Sequence, residues 1–397
     1  MVLRPRGFGK TLMMSTLQSF FEMDYAHPGD TSRQQELFKG LAVTDDRAFC
    51  KEHLGRHPVV ALLMKNRGAA DFSGACAALG EDIWELASRF AWLKDSPRLS
   101  EYEKDAFRPL LDREQLCSGA EKSYFRQQIS LSLLCGMLRR HCGKRIVLLV
   151  DGYDTLLQKA AEHGFFDKAA GVVIPMLGSV IKTNSDIEKA VVTGCLRPAG
   201  GYFADALNNL SYNTALSEND SLSEAFGFTE DEVHSLLADC GLGAFYDKVR
   251  ESYGGYRIGS QEIFCPQEVM SCVSDLLKSG VQDPAVFRPP AYWNNTVNNQ
   301  IITRRLEPGS TKSDMIRDLL EGRSVEVRTN RITDCGEACK TGRFWNLLVN
   351  LGYLTLKKRG KGGVHEFCIP NAEVKACLED CMKAAAATAA TDKTAKA

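Results

Sequence analysis

The run Ile146-Val147-Leu148-Leu149-Val150-Asp151 decides the fold. Its apolar residues, rich in β-branched types, read as a strand covered on both faces, as in the middle of a parallel sheet. Parallel strands need crossover connections, so helices should flank it. Residues 123–141 have helical spacing before it, and residues 165–182 after it, with Pro175 expected to bend or end that second helix. Val59-Val60-Ala61-Leu62-Leu63-Met64, opened by His57-Pro58, reads as an earlier buried strand, and Ala190-Val191-Val192-Thr193-Gly194 as a later one. Strands alternating with helices imply an α/β sheet.

Near the start, Gly9-Lys10-Thr11 opens an amphipathic helix with apolar residues at Met13, Leu17, Phe20 and Phe21. Backbone N–H groups at such a helix start face an anion when no side chain blocks the approach. Lys10 would reach the β and γ phosphates of a nucleotide, and Thr11 would place its hydroxyl on Mg²⁺. The full phosphate-loop signature has a further glycine five residues before Gly9, where this chain has Arg4. Asp151 supplies the acidic residue at the end of a buried strand and would hold Mg²⁺ through water. An aspartate that merely starts a turn is the alternative for Asp151 taken alone. Both elements in the expected chain order favour a P-loop NTPase-type parallel sheet.

The 397 residues allow two or three domains. A hydrophobic fraction of 44% and a charged fraction of 25% exclude a disordered chain. The net charge of -1 gives no global attraction to nucleic acid or to an acidic membrane. No apolar run is long enough to span a bilayer and no secretory signal opens the chain, so no membrane partner and a cytoplasmic location are expected. The fourteen cysteines are scattered through apolar contexts and are expected to be reduced.

The expected organisation is a P-loop core over 1–215, a helical region over 216–290, an α+β C-terminal domain over 291–383 and a disordered tail over 384–397. In the second region Thr229 and Glu232 form the pattern of a capping box. In the third, a helix over Arg343–Leu351 stops at Gly352, and a hairpin turns through the basic stretch Lys357-Lys358-Arg359-Gly360-Lys361. That stretch reads as a solvated tip rather than a phosphate contact. Cys335 and Cys339 with His365 and Cys368 form a loose zinc-like pattern, for which a core reading is preferred.

The run Arg4-Pro5-Arg6-Gly7-Phe8-Gly9-Lys10-Thr11-Leu12 resembles the phosphate loop of the predicted AAA-ATPase-like family, mostly bacterial proteins often fused to a PD-(D/E)xK nuclease-like domain. The resemblance continues in order through Leu37-Phe38-Lys39-Gly40-Leu41, Asp151-Gly152-Tyr153-Asp154, Thr193-Gly194-Cys195-Leu196-Arg197, Phe226-Gly227-Phe228-Thr229 and Gly255-Tyr256-Arg257 to Ile369-Pro370-Asn371-Ala372-Glu373-Val374. It implies ATP and Mg²⁺ as cofactors, with Gly7, Phe8, Gly9, Lys10, Thr11 and Leu12 on the nucleotide and Thr11 and Asp151 on the metal. Arg197 is the candidate sensor of the γ phosphate, with a surface loop arginine as the alternative reading.

Several positions depart from the family pattern. Gly152 stands where the family has the acid that polarises the attacking water, and glycine can neither accept that proton nor orient the water. Asp154 is the candidate substitute base, since on an extended chain it would point to the same side as Gly152. Only Val2 and Leu3 precede Arg4, so the first strand is expected to be missing and the core N-terminally truncated. Gly254 replaces a usual aspartate, and there is no room for the nuclease part. The expectation is an ATP-binding protein with weak or absent hydrolysis. The alternative is a degenerate scaffold for a protein or nucleic-acid partner that no longer binds nucleotide.

Overall fold

A computed structural model describes residues 1–65, 68–182, 184–196, 206–217, 220–293, 299–329 and 344–394. It divides into two compact units. The first comprises Met1–Val2, Thr11–Gly194 and Pro198–Ser211; the second takes Leu3–Lys10, the short stretch from Cys195, and Tyr212–Ala397.

The first unit is α/β. Its sheet has β1 (Val2–Leu3), β2 (Val59–Leu63), β3 (Ile146–Asp151) and β4 (Ile187–Gly194) in the order β1-β4-β3-β2. β2 and β4 both pair parallel with β3, Leu63 opposite Asp151 and Val150 opposite Val192. Strand β3 is thus central, and all six of its residues are buried, which is why it reads as an unbroken apolar run. Helix α1 (Lys10–Phe21) turns Met14, Leu17 and Phe21 onto Val59, Val147 and Leu149. Helices α2 (Ser32–Leu37) and α3 (Arg47–His53) follow, then α4 (Phe72–Ser88), α5 (Glu101–Leu111), α6 (Arg113–Leu116), α7 (Glu121–Cys142), α8 (Thr155–Glu162) and α9 (Phe166–Ile181).

Two expectations change here. Pro175 neither ends nor divides α9, which runs on to Ile181. Proline removes the N–H that would bond the carbonyl four residues back, and Gln128 Nε2 of α7 donates to that carbonyl, Gly171 O, at 2.7 Å. Val2 and Leu3 form a short strand beside β4, and the amino group of Met1 donates to Ser211 O at 2.7 Å.

The second unit holds two three-stranded antiparallel sheets. One has β5 (Phe228–Thr229), β6 (Tyr256–Ile258) and β7 (Gln261–Phe264) in the order β5-β7-β6. The other has β8 (Val325–Arg328), β9 (Thr355–Lys358) and β10 (Val364–Cys368) in the order β8-β10-β9. Helices α10 (Glu230–Asp239), α11 (Tyr246–Tyr253) and α12 (Pro266–Ser279) pack around Val233, Tyr253, Phe264 and Val269. Thr229 and Glu232 complete the expected capping box. The expected division at 290 is bridged by hydrogen bonds. Asn371 Nδ2 donates to Gly254 O at 2.9 Å, and Arg257 N to Thr355 Oγ1 at 2.7 Å.

The last helix, Ala372–Thr394, continues through most of the stretch expected to lack structure. Cys377, Leu378, Cys381 and Ala385 dock it, and the alanines beyond have the highest helix propensity of any residue.

Candidate functional site

Asp151 ends β3, where Thr193 of β4 and Thr11 of α1 converge on it. Thr11 Oγ1 donates to Asp151 Oδ2 at 2.5 Å, and Thr193 Oγ1 donates to Oδ1. A carboxylate that accepts from two hydroxyls is held in one orientation. One hydroxyl and one carboxylate oxygen are the hard donors that Mg²⁺ takes alongside phosphate and water. Among the described residues no group of three or more His, Cys, Asp or Glu could hold a metal alone, so the metal would need the phosphates as well.

Beside this pair lies a cavity of about 240 Å³ whose lining includes Thr11, Asp151, Lys65, Asp82, Glu85 and Arg89. Its charges are largely paired within the unit. Lys65 meets Glu85, Asp82 Oδ2 accepts from Lys65 N at 2.9 Å, and Arg89 meets Glu22 at 3.0 Å.

Gly152 follows with φ of 70°, the left-handed region that glycine enters without strain. Its N–H and that of Tyr153 both donate to Thr193 O, at 3.0 and 3.1 Å. A Cβ added at Gly152 would lie 2.9 Å from Thr155 Oγ1 and 3.1 Å from Met64 O. The chain therefore turns here, and the extended geometry expected for Asp154 does not hold. Asp154 is 1% exposed at the start of α8, and its Oδ2 accepts from Gln158 Nε2 at 2.7 Å. Burial and the bond from Gln158 withdraw this carboxylate from solvent.

In the second unit, Gly7 and Gly9 have φ of 80° and 74°, so the loop takes a path that L side chains rarely allow. A Cβ at Gly7 would lie 2.7 Å from Cys265 Sγ, whereas one at Gly9 would meet nothing within 4 Å. Gly9 is thus required by its backbone angle, and Gly7 by packing as well. Phe8 is 1% exposed and meets Tyr256 edge-on, ring centroids 5.0 Å apart, which leaves only its backbone for a ligand. The ammonium of Lys10 donates to Arg4 O at 2.9 Å, Pro5 O at 2.6 Å and Cys195 Sγ at 3.6 Å. Leu12, in the first unit, is 71% exposed. Arg197 lies outside the described residues, as do Cys335 and Cys339. His365 Nδ1 accepts from Gly360 N at 3.2 Å. In the basic turn, Lys357 pairs with Glu366 at 3.0 Å and Arg359 donates to Leu216 O and Ser217 O, so both cations have internal partners.

Arg4, which stands where the full phosphate-loop signature has its first glycine, has a definite place. It is 1% exposed, and its guanidinium donates to Asn213 Oδ1 at 2.7 Å and Leu222 O at 2.9 Å. Burial lowers its pKa to about 10. The fork anchors the loop base to Asn213 and Leu222, and a glycine there would have no such hold. Thr193 also had no assigned role; a polar residue closing a buried strand was the available signal.

The sequence model described as "Predicted AAA-ATPase" matches residues 1–199, half of the chain. The chain belongs to the predicted AAA-ATPase family. The match covers both Lys10-Thr11 and Asp151, the two positions on which the phosphate-loop reading rests. Over 388 residues the chain is 24% identical to the "Uncharacterized protein in vnfD 5'region" of Azotobacter chroococcum mcd 1, a match covering 96% of this chain. The chain spans 62% of that relative's length. No solved structure matches this family member.

Among the described residues no helix is long and apolar enough to cross a membrane.

Proposed function

We propose that this member of the predicted AAA-ATPase family binds Mg-ATP and hydrolyses it weakly or not at all. The observation that carries the reading is the bond from Thr11 Oγ1 to Asp151 Oδ2, which unites the hydroxyl and the carboxylate a nucleotide-bound Mg²⁺ requires. Lys10 would neutralise the β and γ phosphates, the N–H groups at the start of α1 would face them, and Thr11 and Asp151 would hold the metal. Bound Mg²⁺ would supply charge neutralisation at the phosphates. The residues themselves provide orientation and no base. Gly152 has no acidic side chain, and Asp154 is buried against Gln158.

The test is thermal unfolding with and without Mg-ATP. A ligand that binds only the folded state stabilises it by about 2.7 kcal/mol at a hundredfold excess over Kd. The unmodified chain should melt higher with Mg-ATP and Lys10→Ala should not, while phosphate release stays near background in both.

A scaffold that no longer binds nucleotide is the second reading, favoured by one observation: both oxygens of Asp151 already accept hydroxyl groups. An unmodified chain whose melting ignores Mg-ATP would select it.

A further inference from the structure

Residues 31–56 of the first unit fold around a second cavity, which shares no lining residue with the one beside Asp151. It has a volume of about 470 Å³ and is open to solvent. Its walls come from the end of α2, the turn Ala42–Asp45 and α3. Buried Thr31 and Leu54 form part of its lining.

Four charged residues line this cavity, Lys39, Arg47, Lys51 and Arg56, and all are cationic. Among the described residues none of the four is in an ion pair. Arg56 Nη1 donates to Gly29 O at 3.2 Å, a neutral partner that leaves its charge uncompensated. The acids of the same segment do not line the cavity. Asp46 caps α3 by accepting from Phe49 N, and Glu52 lies 4.0 Å from His53.

Four like charges around one opening repel each other, and an anion placed among them is attracted by all four. Because the net charge of the whole chain is -1, this is a local concentration rather than general basicity. The volume falls within the usual range for ligand pockets, and two guanidinium forks match phosphate geometry. One phosphate group would leave much of this charge unmatched. We propose that this pocket binds a ligand carrying two or more phosphate groups. Such phosphates come either from a nucleic-acid backbone or from a free polyphosphate compound, and the two sources separate experimentally.

The full chain carrying Lys10→Ala removes the phosphate loop as a competing site, so the outcome is independent of the nucleotide reading. It is titrated with fluorescein-labelled oligothymidylate by anisotropy, and with sodium tripolyphosphate by calorimetry. Saturable, salt-sensitive binding of at least one probe is expected. For the strand, the slope of log K against log salt would approach about −3 if all four cations meet phosphates. Adding Arg47→Glu and Lys51→Glu should weaken binding at least about tenfold, whereas Lys94→Glu with Lys278→Glu should leave it unchanged. Should the reversal pair fail to fold, Arg47→Gln with Lys51→Gln is read in its place. Binding of the strand alone assigns a nucleic-acid ligand, and binding of tripolyphosphate a small one. Binding of neither probe, or binding indifferent to Arg47 and Lys51 in a folded variant, overturns the proposal.

Discussion

Thr11 Oγ1 and Asp151 Oδ2 stand 2.5 Å apart although 140 positions of chain separate them. The contact exists because α1 lies across β2 and β3 with Met14 and Phe21 among Val59, Val147 and Leu149. That packing brings the first turn of the helix to the strand end. The hydrogen bond reports the alignment of a whole helix on the sheet, and a ligand there would meet groups already in register.

Thr193→Val keeps the shape of a buried side chain and removes the second hydroxyl on Asp151. A hydrogen bond to a charged group contributes about 1.5–3 kcal/mol, so urea unfolding should show a loss of that order. Mg²⁺-dependent nucleotide binding should weaken with it. An unchanged midpoint would mean that Thr193 does not hold the carboxylate.

Restoring the acid that the family carries after Asp151 should fail in this chain. Gly152→Glu puts a side chain at φ of 70° with its Cβ 2.9 Å from Thr155 Oγ1. Such strain costs on the order of 1–3 kcal/mol. Lower thermal stability without gain of ATP turnover is the expected result; a stable, hydrolysing variant would show that the turn adapts.

Arg4→Lys replaces a fork with a single ammonium that cannot serve Asn213 Oδ1 and Leu222 O in the same way. A loss of about 1.5–3 kcal/mol is expected, read as a lower urea midpoint. Greater protease sensitivity around residues 3–10 should accompany it.

Glu268 is buried, and its pKa is raised first by that burial and then by the nearby charge of Glu373. Glu373 is raised too, by burial. A carboxyl with a raised folded-state pKa contributes stability that is complete below the ordinary carboxylate range. That stability is lost as pH rises from there toward the alkaline side. Melting temperature should therefore fall between mildly acidic and alkaline pH, and Glu268→Gln should flatten the decline. A profile identical in both proteins would show that the carboxyl titrates normally.

Much of the sheet was legible because its strands announce themselves. Ile146–Val150 is apolar throughout, and its central place is the reason. The meeting of Thr11 with Asp151 was legible for similarly local reasons: a glycine-preceded helix start and an acid closing a strand. Arg4 was not, because its partners Asn213 and Leu222 are over two hundred positions away. The direction of Asp154 was not legible either, because strand geometry ends at Gly152, where a positive φ turns the chain. Pro175 stays within a helix owing to Gln128, a partner on another element that no local rule anticipates.

The ammonium of Lys10 has three protons. Two go to main-chain oxygens of Arg4 and Pro5, and the remaining contact is a thiol at 3.6 Å. Sulfur is a poor acceptor. An arriving oxyanion would displace only the weakest of the three, leaving the fold of the turn intact. Anion recognition at this corner would therefore resemble substitution at a single coordination position, and alkylating Cys195 would crowd that position while sparing the rest.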